Sequence, residues 1–319
     1  MRRLTLLIGA AALFAVAAPA AAASRADWDA CKGDDPDRSI AACTRIIQDR
    51  GETAKDSAIA HHERALSYKS KGDFDRAIAD LSEAIRLDPK YAEAYYLRGV
   101  TYRNKGDLDR AIADYSEAIR LDPKLAAAYN NRGNAYKDKG DFDRAIADFS
   151  EAIRLAPELE AAHPETIIRR LAHYNRGLAY LYSGDLAKAL ADVSEASNLD
   201  PADPYKALWA DIVAQRNNAP SPLSQASTKI DMTPWPAPII RSFLGRMPPE
   251  AVLAAAADAD AKKKSQVCEA NFYGGELALR LNAKDEAVRL FRLAASDCAR
   301  DVNEWFAANA ELKALGETP

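Results

Sequence analysis

Gly72-Asp73-Phe74-Asp75-Arg76-Ala77-Ile78-Ala79-Asp80-Leu81-Ser82-Glu83-Ala84-Ile85-Arg86-Leu87-Asp88-Pro89 returns almost unchanged from Gly106 to Pro123 and from Gly140 to Pro157, and more loosely from Gly184 to Pro201. The first three copies are spaced by 34 residues. Apolar residues inside each copy recur at helical spacing, and Pro89, Pro123, Pro157 and Pro201 each remove an amide donor and end that helix. The Gly-Asp opening supplies a turn followed by an N-cap. A fixed period of this length means one helical supersecondary unit stacked on copies of itself.

The unit resembles the tetratricopeptide repeat, in which two antiparallel helices pack through defined small and large places. In the copy from Ala92 to Leu125, Tyr95, Gly99 and Tyr102 stand at the fourth, eighth and eleventh places. Ala111, Tyr115, Ala118 and Pro123 stand at the twentieth, twenty-fourth, twenty-seventh and thirty-second, and all seven fit. The eighth place (Ala65, Gly99, Gly133, Gly177) and the twentieth (Ala77, Ala111, Ala145, Ala189) must be small because the two helices cross there. Leu81, Tyr115, Phe149 and Val193 fill the space between neighbouring units. The expected fold is an all-α superhelix of helix hairpins, with four full repeats over 58–203. Ten residues are inserted near 160–170, around His163-Pro164, and read as a lengthened loop or extra helical turn rather than a dedicated binding element.

Upstream, Met1-Arg2-Arg3 precedes the apolar run Leu4 to Ala18, and Ala21-Ala22-Ala23 offers a cleavage site before Ser24. Residues 1–23 read as a secretory signal peptide, too short for a membrane anchor. Leu4-Thr5-Leu6 runs straight into the apolar core, which favours general export over the twin-arginine route. No later run is long and apolar enough to span a bilayer. Losing Arg2 and Arg3 takes the formal charge from −4 to −6, since −4 − 2 = −6. A mildly acidic chain without a basic stripe argues against nucleic acid and anionic lipid as partners. The expected location is the periplasm or exterior, with cleavage near Ala23.

An oxidising compartment favours pairing of the four cysteines. Counting repeat places from Cys268 puts Gly275 at eight, Ala287 at twenty, Phe291 at twenty-four and Cys298 at thirty-one. The start of a first helix lies beside the end of its second, so Cys268 and Cys298 fall within bonding reach. Asp37-Arg38-Ser39-Ile40-Ala41-Ala42-Cys43 copies Asp75 to Leu81, so 24–57 reads as a truncated repeat in which Cys31 pairs with Cys43. No Cys-x-x-Cys or ligand-spaced His pair accompanies them, so neither a metal nor a cofactor is expected. His61, His62, His163 and His173 are scattered and read as structural.

Past Pro201, residues 204–266 read as connecting helices with a Pro/Ser-rich linker, and 267–319 as a C-terminal repeat with a capping helix. Trp235-Pro236, Phe243-Leu244-Gly245, Glu269-Ala270-Asn271-Phe272-Tyr273-x-Gly275 and Leu290-Phe291-Arg292-Leu293-Ala294 follow one another. This order resembles the C-terminal part of the bacterial new lipoprotein I family over about 115 residues. The resemblance implies a cell-envelope adaptor that brings a periplasmic processing protease and peptidoglycan hydrolases together, and that tends to dimerise. The chain departs from that family in lacking the lipid-attachment cysteine: Cys31 follows Asp27-Trp28-Asp29-Ala30, well beyond the apolar segment.

No nucleophile-base-orienter set or phosphate loop is visible, so an enzyme is not expected. The function expected is a scaffold that binds a protein or extended peptide. Its alternative is a cell-wall (peptidoglycan) binding module that stacks sugars on Tyr95, Tyr96, Tyr174 and Tyr182. Places two, five, six, nine, twelve and thirteen of each first helix build the concave wall of this repeat. They give a candidate groove of Tyr96, Arg103, Asn104, Asn130, Asn131, Asn134, Lys137, Tyr174, Asn175 and Tyr182. Amides suit an unpaired peptide backbone, and Arg103 and Lys137 suit a carboxylate. Should the groove not dock the partner, Asn271, Phe272 and Tyr273 form the alternative surface. Arg64, Arg98, Arg132 and Arg176 at the seventh place face Asp80, Asp114, Asp148 and Asp192 at the twenty-third, which predicts four charge pairs within units.

Overall fold

The structure is a computed structural model, and it describes residues 24–49, 51–156, 164–257, 263–299 and 302–318. Among the described residues all regular structure is helical, in seventeen helices. The signal peptide expected at 1–23 lies outside the described residues, as do Pro157 and His163. No described helix is long and apolar enough to cross a membrane.

The chain divides into two compact units, 1–105 and 106–319. In the first, α1 (Arg25–Cys31) and α2 (Pro36–Gln48) form a short hairpin. α3 (Ala54–Ser70) and α4 (Phe74–Leu87) form a full repeat, and α5 (Ala92–Asn104) packs on α4. Ser24 caps α1 by a reciprocal capping box with Asp27, and Thr53 caps α3 through the Asp56 amide.

The second unit opens with α6 (Leu108–Leu121), followed by the hairpins α7 (Ala126–Asp138) with α8 (Phe142–Leu155) and α9 (Pro164–Ser183) with α10 (Leu186–Leu199). Each second helix starts alike. Gly72, Gly106, Gly140 and Gly184 take φ between 76° and 92°, which a side chain strains. Asp73, Asp107, Asp141 and Asp185 then accept the amide three residues on at 3.1 to 3.2 Å. The small eighth place has a direct cause. A Cβ built on Gly133 would sit 2.8 Å from the Phe149 ring, and one on Gly177 would sit 2.7 Å from Val193.

The described part of the inserted segment is helix. α9 begins at Pro164 and runs for 20 residues against 13 in α7, so its extra length extends the first helix at its N-terminal end. Beyond it come α11 (Pro204–Arg216), the short α12 (Leu223–Ala226) and α13 (Ala237–Phe243), and α14 (Pro249–Ala257). The last hairpin pairs α15 (Lys263–Arg280) with α16 (Lys284–Asp297), and α17 (Asn303–Ala314) packs on both. Trp209, Phe272, Tyr273 and Phe291 are almost fully buried and centre a continuous apolar core in this part.

Candidate functional site

The arginines predicted as charge pairs form a clamp that also crosses between hairpins. Arg64 donates to Asp80 at 2.8 and 2.7 Å, Arg132 to Asp148 at 2.8 and 2.8 Å, and Arg176 to Asp192 at 2.7 and 2.8 Å. Each remaining guanidinium nitrogen reaches the preceding hairpin, at Thr44 (2.8 Å), Ser116 (2.9 Å) and Ser150 (2.9 Å). Arg98 and Asp114 fall in different units, and Arg98 donates to Ser82 at 3.1 Å. His61 and His173 join the clamp by bonding Asp80 and Asp192 at 2.8 and 2.9 Å. Burial works against ionising Asp80 and Asp192, but the arginine and histidine bonds prevail and hold both carboxyls below their usual range. The three described clamps, at Arg64, Arg132 and Arg176, therefore tie the two helices of a hairpin to each other and to the helix before them.

The candidate groove residues belong to both units. Tyr96, Arg103 and Asn104 stand on α5, with Asn104 exposed and the other two half-buried. The other seven stand on α7 and α9. Asn131 and Asn134 are half-buried, whereas Asn130, Lys137, Tyr174 and Asn175 are buried. Asn175 Nδ2 donates to Asn130 Oδ1 at 3.5 Å, and Asn130 Nδ2 to Asn131 Oδ1 at 3.3 Å.

On α7 and α9 three of these residues meet the chain's own C-terminal helix, α17. Lys137 Nζ, 4% exposed, donates to Asn303 Oδ1 at 3.1 Å. Phe306 sits edge-on to Tyr182 at 5.1 Å and to Phe142 at 6.3 Å between ring centres. Glu311 accepts from Arg216 on α11 at 2.7 Å, and Glu304 accepts from the Tyr273 hydroxyl at 3.1 Å. Burial pushes the Tyr174 and Tyr182 hydroxyls well above their ordinary range. It also drives the Glu304 carboxyl up to about 7, with Glu269 adding to the rise.

These contacts bear on two of the expected sites. Lys137, Tyr174 and Tyr182 meet α17, because the helix that caps the last hairpin also reaches α7 and α9 through Asn303 and Phe306. Lys137 donates to the Asn303 amide oxygen, and Arg216 takes the Glu311 carboxylate. It ends α11, which follows no repeat register, so no count of places could single it out. Asn271, Phe272 and Tyr273, expected as the alternative docking surface, are buried at 3%, 0% and 1% exposed.

Both disulfides form, Cys31–Cys43 and Cys268–Cys298, with Cα separations of 4.8 and 5.0 Å. Among the described residues no group of three or more His, Cys, Asp or Glu is placed to hold a metal ion.

A solenoid of clamped hairpins with a concave wall of polar and aromatic side chains defines a protein-interaction scaffold. Tetratricopeptide repeat family models match 62–126, 126–159 and 170–203. The fold is similar to the crystal structure of MamA, at 25% identity over 56% of this chain and 95% of that one, with a TM-score of 0.47. It is similar also to PilF of Pseudomonas aeruginosa, at 18% identity over 81% and 99% of the two chains and a TM-score of 0.49. PilW, a widely conserved type IV pilus biogenesis factor, matches at 17% identity over 78% and 96%, with a TM-score of 0.46.

Proposed function

We propose that the chain is a non-enzymatic adaptor of the bacterial cell envelope, exported by its N-terminal segment and binding partner proteins through its tetratricopeptide repeats. The observation that carries this reading is the combination of interaction repeats with two disulfides, which persist in oxidising compartments. The resemblance of the C-terminal part to the new lipoprotein I family supports a periplasmic protease and peptidoglycan hydrolases as partners, and a homodimer as a further assembly. The wall-binding alternative is weaker, because two of its four stacking faces, Tyr174 and Tyr182, are engaged by the chain itself: α17 hydrogen-bonds Tyr174, and Phe142 and Phe306 pack on Tyr182.

Affinity purification from the envelope fraction, beside a pull-down on purified cell wall, tests the reading. Enrichment of a protease or hydrolase without wall retention is the expected result. Retention on bare wall with no protein partner would overturn it.

A further inference from the structure

We propose that the concave side of the third and fourth repeats is a receptor for an α-helix, that α17 occupies it in cis, and that a partner's helix of the same register takes its place. The inference rests on the adaptor reading only for the partner being a protein; the register comes from α17. Along that helix Asn303 meets Lys137, Phe306 meets Tyr182 and Phe142, and Glu311 meets Arg216. The complement of this wall, with Arg216 of α11 beside it, is thus a polar first residue, an aromatic anchor three places on and a carboxylate five places after that. Such spacing belongs to a helix laid in a groove, not to an extended strand.

Two features make α17 a removable occupant rather than an ordinary end cap. Beside the buried Ala307, Ala308 and Leu312, its contacts bury carboxylates: Glu311 shares the one Arg216 guanidinium with Glu276, and Glu304 accepts from the Tyr273 hydroxyl with no arginine fork of its own among the described residues. Burial without full pairing makes docking costly, so a partner offering the same groups can compete. Finally, the hairpin that α17 caps is closed by Cys268–Cys298, so α15 and α16 stay joined when their cap leaves.

Hydrogen exchange on the unmodified full chain tests the occupancy. Amides of α17 should exchange about ten-fold or more faster than those of α15 and α16, through an opening smaller than global unfolding. Equal protection overturns the proposal. The second arm uses a fluorescent peptide of residues 302–318 and the full-length Phe306→Ala chain, in which the resident helix is weakened at its anchor. That variant should bind the peptide about ten-fold tighter than the unmodified chain does, and a peptide carrying the same substitution should lose about as much. A folded variant that ignores the peptide overturns the proposal, and so does one that dimerises by seating a second copy's α17. Neither arm uses an envelope protein, so failure of the adaptor reading leaves this result standing.

Discussion

The α7–α8 hairpin and the α15–α16 hairpin cross in the same way and are locked in opposite ways. At the crossing, Gly133 lies under Phe149 and Gly275 under Phe291, where an added Cβ would come within 2.8 and 2.6 Å of the ring. At the lock, the first hairpin has Arg132 forked onto Asp148, and the last has Gly274 and Leu290 at the equivalent places. There the Cys268–Cys298 bond and the aromatic contacts of Phe272 with Trp209 and Phe291 replace the clamp. A small residue beneath a large one defines the hairpin, whereas the lock is interchangeable between polar and covalent chemistry.

The comparison breaks first at the clamp. The Asp148 side chain is 9% exposed and that of Arg132 is 19%, so Asp148→Ala leaves a guanidinium largely buried and unpaired. It should cost about 3–5 kcal/mol in denaturant unfolding. A loss below about 1 kcal/mol would reduce the clamp to an ordinary surface pair. Next, Cys268→Ser with Cys298→Ser should cost about 2–4 kcal/mol, and a reducing agent should reproduce it, while hydrogen exchange across α7–α8 stays unchanged. Loss of protection in α7–α8 would show that the two locks are not independent.

Gly133→Ala and Gly275→Ala sharpen what the hairpins share. Overpacking costs about 1–3 kcal/mol, against a gain of up to about 1 kcal/mol from replacing a helical glycine. Both variants should therefore be destabilised alike by about 1–2 kcal/mol. A gain in thermal midpoint at either position would mean the ring above it moves aside.

The smallest effect is a change in the slope of stability with pH. Asp192 in the repeats is held below its usual range, so its contribution is present above the ordinary carboxylate pKa and lost as pH falls through the lowered one. Glu304 on α17 is raised from 4.5 to about 7, so its contribution is full below 4.5 and lost as pH rises through about 7. Glu304→Gln should flatten the neutral limb of a midpoint-against-pH curve and leave the acid limb alone. An unchanged neutral limb would place the Glu304 carboxyl in water.

Much of this architecture was legible because it is local or periodic. The turn glycines, the aspartate caps, the small eighth place and three of the arginine clamps each depend on residues within one 34-residue period. The Cys268–Cys298 bond followed from the same count of places. The Ser and Thr partners of the clamp were missed because they lie in the preceding hairpin, although their recurrence at Thr44, Ser82, Ser116 and Ser150 was a usable pattern. The histidines gave no such pattern, since only two of the four repeats carry one at that place.

The sequence by itself therefore determined the repeating hairpin, its handing-on from unit to unit and the cysteine partners, because short-range packing and chain geometry settle those. Only the tertiary structure decided that Lys137, Tyr174 and Tyr182 of the third and fourth repeats meet α17. Asn303 meets Lys137 across 166 residues, and Glu311 meets Arg216 across 95, through a stretch from α11 to α14 that follows no period. How far such a stretch turns the chain back on itself is set by the packing of Trp209, Phe272 and their neighbours, a sum of contacts that no local pattern encodes.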